Sequence, residues 1–426
     1  MAAMPEPTLP RRFRPPKRNG PRPGTAAAAL AHRDFRLLWL GSFASNIGVW
    51  MRTVVLGSYA YELTGSSTFI GLLTFAQLGP LMFLSIPGGV VADVLDRRRW
   101  LVALQVEQLV FAAVLALLVT GEPSRLALFV VVLAIGVGFS LNAPAWGATL
   151  PALVDREHLA GAIALNSTMI NGSRVIGPAI AGVLYPIFGA AWIFAINAAA
   201  YLFVITALFV VRLPPVVPAA ERGWARVAAG IRAARDNPVV GRILLTLTLF
   251  SFFSLPFVGL FAAVAERGLG LDSESTTFGL LYAAFGLGAC LGALSIGTLL
   301  ASAVKMNLVR SGLVGFAVCL AVLAVLRHPA PAFPVVFLLG ACYFGSTTAM
   351  LTVLQSTLDE AVRGRVLALW FMAFGGTVPL GALVFGKVLD ATNVTVVLGI
   401  GAATALLLAW WCNLRWVAKL SMTDVI

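Results

Sequence analysis

An all-α integral membrane protein with about twelve helical spans is the fold class this sequence predicts. Three observations lead there. Of 426 residues, 59% are hydrophobic and 11% charged, under half the charged share of ordinary soluble domains. From Phe35 onward the chain falls into apolar segments of about 18 to 28 residues, the length a helix needs to cross hydrocarbon. The loops between those segments alternate between rich and poor in Lys and Arg, which sorts them by side of the membrane.

Residues 1–34 are rich in Pro, Arg and Ala and lack an apolar core of signal-peptide type. They are predicted to be a disordered cytosolic tail whose arginines touch anionic lipid. Aromatic interleaving is nearly absent there, so a nucleic-acid-binding arm is not expected.

The spans are placed near 35–61, 69–92, 100–120, 125–147, 160–187, 190–211, 241–265, 277–300, 309–326, 333–355, 365–386 and 395–414. With the N-terminus inside, the cytosolic segments hold Arg97 to Arg99, Arg156, Arg212, Arg222, Arg226, Arg232, Arg235, Arg242, Lys305, Arg310, Arg363, Arg365, Arg415 and Lys419. The other side keeps only Arg125, Arg267, Arg327 and Lys387. This asymmetry puts both termini in the cytosol and explains the net charge of +12 without nucleic acid.

One connection, 212–240, is long. Pro214, Pro215 and Pro218 stop span 6. After them Trp224, Val227, Ala228 and Ile231 alternate at helical spacing with Arg222, Arg226, Arg232 and Arg235, so an amphipathic helix is expected along the inner membrane face. The linker divides a first six-helix unit, 35–211, from a second, 241–416, with a short cytosolic tail at 417–426.

The two units repeat each other. A shift of 204 lays Asp155 on Asp359, Ala164 on Ala368, Leu165 on Leu369, Gly172 on Gly376, Gly177 on Gly381 and Gly182 on Gly386. A shift of 208 lays Thr68, Gly71, Leu72, Leu73 and Ala76 on Thr276, Gly279, Leu280, Leu281 and Ala284, and Gly89 on Gly297. Two parallel six-helix halves hold substrate between them at the midplane in transporters built this way.

Where span 2 ends, Gly89, Asp93, Arg97 and Arg98 stand at spacings that would align the first three on one helix face. Gly89 would admit a neighbouring helix, Asp93 would hold that helix's end or an arginine, and Arg97 and Arg98 would sit among headgroups, so the set is read as a conformational latch. The pattern G-x-x-x-D-x-x-x-R-R between two apolar spans resembles the signature loop between spans 2 and 3 of the major facilitator superfamily of secondary transporters. The second half keeps a worn copy, with Lys305 over Arg97 and Ala301 over Asp93.

Further wording resembles one branch of that superfamily, the enterobactin-exporter and macrolide-efflux type. It comprises Phe35-Arg36-Leu-Leu-Trp39, Ser45-Asn46-Ile-Gly48 followed by Trp50-Met51, Glu62-Leu-Thr-Gly65-Ser66, and Ser173-Arg174-Val-Ile-Gly177-Pro178. Gly172, Gly177-Pro178 and Gly182 resemble a degenerate form of the Gly-Pro motif on span 5 of superfamily antiporters, with Gly376 and Gly381 as their copies in span 11. Arg52 stands where relatives often carry an uncharged amide. The resemblance implies the major facilitator fold, alternating access, and proton-coupled export of a small amphipathic molecule such as a drug, secondary metabolite or siderophore. It further implies a monomer in a bacterial inner membrane.

Ionisable and amide groups within spans are costly and mark candidate substrate or proton paths. Arg52 in span 1 and Arg174 in span 5 are expected to face protein or water. Ser167, Asn171, Arg174 and Pro178 form one stripe of span 5, read as lining the central cavity. Asn46, Trp50, Thr53 and Gly57 make a mixed face on span 1, and Asn142 and Gln355 add amides that equally well bond across helices. Glu107 in span 3 is read either as a proton carrier or as a carboxylate snorkelling toward the loop arginines.

Cys290, Cys319, Cys342 and Cys412 lie singly in apolar segments, and His32, His158 and His328 are far apart in sequence. Neither a disulfide framework nor a metal site is expected. Gly381-x-x-x-x-Gly386-Lys387 mimics a phosphate loop, but Val388 replaces the Ser or Thr that chemistry needs. No cofactor and no enzyme is therefore expected. A lipid or lysophospholipid flippase on the same fold, and a non-transporting membrane sensor or scaffold, stand as the alternatives to an exporter.

Overall fold

The computed structural model describes residues 24–92, 94–149, 151–213, 224–358 and 360–412. Among them there are helices and turns and no strand. Among the described residues, nine helices are long and apolar enough to cross a membrane. Large apolar side chains stand on the outside, with Leu299 86%, Trp410 74% and Leu117 72% exposed, which suits a surface facing lipid tails rather than water.

The first half begins with a short helix, α1 (Ala26–Ala31), and continues through α2 (Arg33–Thr64), α3 (Ser67–Leu78), α4 (Pro80–Ala92), α5 (Arg97–Leu118), α6 (Arg125–Thr149) and α7 (Leu159–Val210). Span 2 is split into α3 and α4 because Pro80 brings no N–H to continue the ladder. α7 holds spans 5 and 6 as two arms that reverse at Gly189, whose φ of 75° is open to glycine and strained for other residues. The connection α8 (Trp224–Asp236) leads to the second half: α9 (Pro238–Phe253), α10 (Pro256–Gly259), α11 (Phe261–Leu269), α12 (Thr276–Gly297), α13 (Lys305–Val325), α14 (Pro329–Thr357), α15 (Glu360–Ala391) and α16 (Val394–Trp411). Span 7 is thus broken into α9, α10 and α11, with Pro256 opening the middle piece.

Two expectations need correction. The stretch expected to be disordered through residue 34 is helical from Ala26, because Thr25 caps α1 and its Ala28 and Ala29 are buried. Gly161 at the start of α7 lets it dock, since a Cβ there would collide with the Thr25 carbonyl. The rest of that tail, residues 1–23, lies outside the described residues.

The latch stripe is also interrupted. α4 stops at Ala92, Val94 to Asp96 form a turn, and Arg97 opens α5, whose N-terminus Asp96 caps by accepting from the Arg99 N–H at 2.9 Å. One helix face therefore does not run from Gly89 to Arg97. Gly88 makes the close approach, 3.1 Å from Leu141 Cα to an added Cβ, whereas Gly89 leaves ordinary clearance to Pro144. Asp93 lies outside the described residues.

Arg97 to Arg99, Arg212, Arg242 and Lys305 all fall at helix ends on one face, here termed the basic face. There Arg98 donates to the Val211 carbonyl at 2.7 Å and the Arg212 N–H donates to Asp34 Oδ2 at 3.1 Å, closing the first bundle's ends on each other. α8 leans on α15: an added Cβ at Gly230 would lie 2.8 Å from the Arg365 carbonyl oxygen. The second bundle is packed on aromatics, among them Phe250, Phe257, Phe285, Phe316 and Tyr343, largely edge to face.

Candidate translocation site

Both bundles line a cavity of about 130 Å³. α2 supplies Trp50, Thr53 and Gly57, and α3 supplies Thr74 and Gln77. From the second bundle come Gly259, Phe261, Ala262, Phe278, Tyr282 and Val378. Its wall is largely apolar with a few polar groups, the composition of a small-molecule pocket. Gln77 Nε2 donates to Thr53 Oγ1 at 3.3 Å and Thr53 donates to its own helix at Val49 O.

Above the cavity, on the face opposite the basic one, the bundles close on each other. An added Cβ at Gly182 of α7 would lie 2.5 Å from Gly279 Cα of α12. Gly71 of α3 meets the Ala382 carbonyl of α15 in the same way, and Gly386 of α15 meets Ser67 and Thr68. Asp390 of α15 accepts four hydrogen bonds from the first bundle: Ser67 N–H at 2.8 Å, Thr68 N–H at 2.8 Å, Thr68 hydroxyl at 2.7 Å and Ser66 hydroxyl at 3.0 Å. A carboxylate at a helix N-terminus is favoured by both the free N–H groups and the helix dipole.

A second bridge joins the bundles at that face. The Tyr185 hydroxyl donates to Glu274 Oε1, and Glu62, beyond the end of span 1, shares a hydrogen bond with Glu274. That bond needs a proton. It holds the Glu62 carboxyl well above its ordinary value, at about 7, with partial burial and the negative charges of Glu274, Asp272 and Glu266 adding in the same direction.

Arg174 of α7 lies at the junction of the halves. Its guanidinium stacks 4.1 Å from the Phe344 ring of α14 and 4.9 Å from the Trp50 ring of α2, which itself lines the cavity. Its Nε and Nη1 are buried and make no hydrogen bond among the described residues. Such a group is costly to leave unmet. Asn171, one turn away, is half-buried and donates to Ser167 O on its own helix, and Ser167 is exposed.

The remaining expected residues are spread out. Arg52 is buried inside the first bundle at 2% exposure, with Nη1 unpartnered among the described residues. Its charge acts on Glu107, which does not reach the loop arginines. Glu107 instead accepts from Gln108 Nε2 at 2.8 Å and fills the space left by Gly138 of α6, where a Cβ would collide with the carboxylate. Gln108 also donates to Ile135 O at 2.8 Å and accepts from the Tyr201 hydroxyl at 3.1 Å.

Asn46 donates to Ser42 O at 2.8 Å, Asn142 Oδ1 is buried and unpartnered among the described residues, and Gln355 is exposed. None of these lines the cavity. Gly177 lets α2 approach at Ile47 and Trp50, Gly381 lets α9 approach at Phe252, and Gly376 sits against Met82. Gly172 has ordinary clearance to Phe43, and Pro178 is buried within α7. Gln77 and Tyr282 were missed by sequence reasoning; as one more intramembrane amide, Gln77 gave the same signal as Asn142.

A family described as transmembrane secretion effector matches residues 24–424. The chain belongs to this family of the major facilitator superfamily. Enterobactin exporter EntS of Shigella boydii is 30% identical over 341 residues, which cover 80% of this chain and 81% of the exporter. EntS of Escherichia coli matches with the same identity and coverage. Among solved structures, nucleoside transporter NupG aligns at a TM-score of 0.68 with 16% identity, over 91% of this chain and 99% of NupG. The POT family transporter PepTSo aligns at 0.70 with 13% identity, over 92% and 99%. A bacterial homologue of the iron transporter ferroportin aligns at 0.68 with 17% identity, over 90% and 98%. The chain therefore has the major facilitator fold of two six-helix bundles, and it is a multi-pass membrane secondary transporter and not an enzyme.

Proposed function

We propose that this chain exports a small amphipathic molecule across a bacterial inner membrane by alternating access, in exchange for protons, as a monomer with both termini in the cytosol. The observation that carries the reading is the cavity between bundles that are hydrogen-bonded to each other at the face away from the basic loops. A cavity roofed on one side by contacts that can separate suits loading from the basic, cytosolic side and release on the other. The kinship with enterobactin exporters supports the direction of flux.

In this reading Arg174, held between two rings with part of its guanidinium unmet, takes an anionic or electron-rich group of the substrate at the cavity's edge. The Arg52 and Glu107 pair, with Gln108, is the candidate proton path inside the first bundle. Gly89, Asp93, Arg97 and Arg98 act at the basic face as the latch that engages when the opposite face opens. Inside-out vesicles with an imposed pH gradient and a panel of dyes, antibiotics and siderophores test this. Accumulation driven by an acid interior is expected. No flux of any panel member, or flux indifferent to the gradient, would remove the proton-coupled exporter from consideration.

A further inference from the structure

The chain's ends of helix at the basic face bring together two histidines that lie 126 residues apart. Their distance in sequence gave no reason to expect a metal site, but the fold sets them side by side. His32 is the break between α1 and α2, and His158 closes the short turn before α7. Their Nε2 and Nδ1 atoms are 2.8 Å apart, with Asp155 Oδ2 3.9 Å from the same His32 nitrogen. One donor atom from each of His32, His158 and Asp155 lies within 4.8 Å of the others.

The geometry points to a binding site for a zinc-class divalent cation, held by His32 Nε2, His158 Nδ1 and Asp155 Oδ2 with water in the fourth position. Two imidazoles and a carboxylate are a donor set that suits such an ion. Bonds of about 2.0–2.2 Å in a tetrahedron put ligand atoms about 3.4 Å apart, so 2.8 Å must open and 3.9 Å must close by roughly half an ångström each. The Asp155 side chain is 74% exposed and free to make that move, while His158 at 17% and His32 at 26% are more firmly set.

A second feature of the site points the same way. His158 turns its other nitrogen, Nε2, toward Glu157 Oε1 at 3.6 Å. A carboxylate thus stands on the side of the ring away from Nδ1, the placement of the outer carboxylates that orient ligating histidines in metal sites. The scaffold is also fixed in advance, since α1 is docked on α7 through Thr25 and Gly161.

The test uses the full chain, purified in detergent on an affinity tag without histidine, cleared of metal with EDTA and titrated with Zn²⁺ by calorimetry. One Zn²⁺ per chain is expected, with affinity lowered at least ~10-fold in His32→Gln and in His158→Gln and unchanged in His328→Gln. Equal stoichiometry and affinity in the double variant His32→Gln/His158→Gln, or no binding by the unaltered chain, would overturn the site. Should a variant fail to elute as the unaltered chain does, Co²⁺ decides. Strong visible bands of a tetrahedral ion on the unaltered chain support the site, and the weak spectrum of the hexa-aquo ion overturns it.

Discussion

Gly182 of α7 and Gly279 of α12 meet backbone to backbone across the junction of the two bundles, with 2.5 Å from a Cβ built on the first to Cα of the second. The internal repeat gives this contact a twin. A shift of 208 carries Gly71 onto Gly279 and a shift of 204 carries Pro178 onto Ala382; Gly71 abuts the Ala382 carbonyl as Gly279 abuts the Pro178 carbonyl, at 3.1 Å. Spans 2 and 11 and spans 5 and 8 therefore seal the same face by the same device. Gly279→Leu should hold the bundles apart there, since overpacking costs about 1–3 kcal/mol. A cysteine placed at Thr277 should then label faster with a membrane-impermeant thiol reagent, and net export should fall. Unchanged labelling would show that the seal does not depend on this approach.

Asp390 fastens the other end of that seal. It accepts from Ser66, Ser67 and Thr68 across the junction and lies 3.5 Å from Arg267 of its own bundle. Hydrogen bonds to a charged group are worth about 1.5–3 kcal/mol each, so Asp390→Ala should shift the balance between closed and open by at least roughly tenfold. The expected readout is raised access to a cysteine at Ser67, with Asp390→Asn lying between the two because an amide keeps one acceptor oxygen. Equal access in all three chains would assign Asp390 to capping α3 alone.

Much of this architecture is legible in the sequence, because apolar runs and alternating loop charge are direct consequences of crossing hydrocarbon, and glycine pairs survive in both halves. What sequence could not supply is which groups meet. His32 and His158 are joined by the docking of α1, an alanine-rich helix that composition alone assigns to a disordered tail. Gly89, Asp93 and Arg97 have the spacing of one helix face, yet Asp96 caps a new helix that begins at Arg97. The depth of Glu107 in span 3 permits either a reach to the loops or an inward position, and the missing side chain at Gly138 gives it an inward berth. Gln77, lining the cavity, is indistinguishable in sequence from amides that bond within their own helix.

Closure at the opposite face should depend on pH through Glu62. Its carboxyl titrates at about 7 when bonded to Glu274, against 4.5 for an unperturbed glutamate. A group whose pKa is raised in the closed state favours that state most at low pH. The contribution is therefore complete below about 4.5, declines as pH rises between the two values, and is gone above about 7. Accessibility of a cysteine at Thr276 should rise across that interval, and Glu62→Gln, which keeps a hydrogen-bond donor at every pH, should flatten the curve. A pH profile identical in Glu62→Gln would detach the gate from this pair.

The berth of Glu107 makes a prediction about the first bundle's stability. Gly138→Ala puts a methyl where the carboxylate lies, so Glu107 must leave its bond to Gln108 and move beside apolar neighbours. Displacing a buried polar group and straining the packing together should cost about 2–4 kcal/mol, seen as a lower unfolding temperature in detergent. Glu107→Ala alone should cost less, because Gln108 retains the Ile135 carbonyl and the Tyr201 hydroxyl. The pair should not add: Gly138→Ala in a Glu107→Ala background has an empty space to enter, and the double variant should recover at least about 1 kcal/mol relative to the sum. Strict additivity would mean that the two positions do not press on each other.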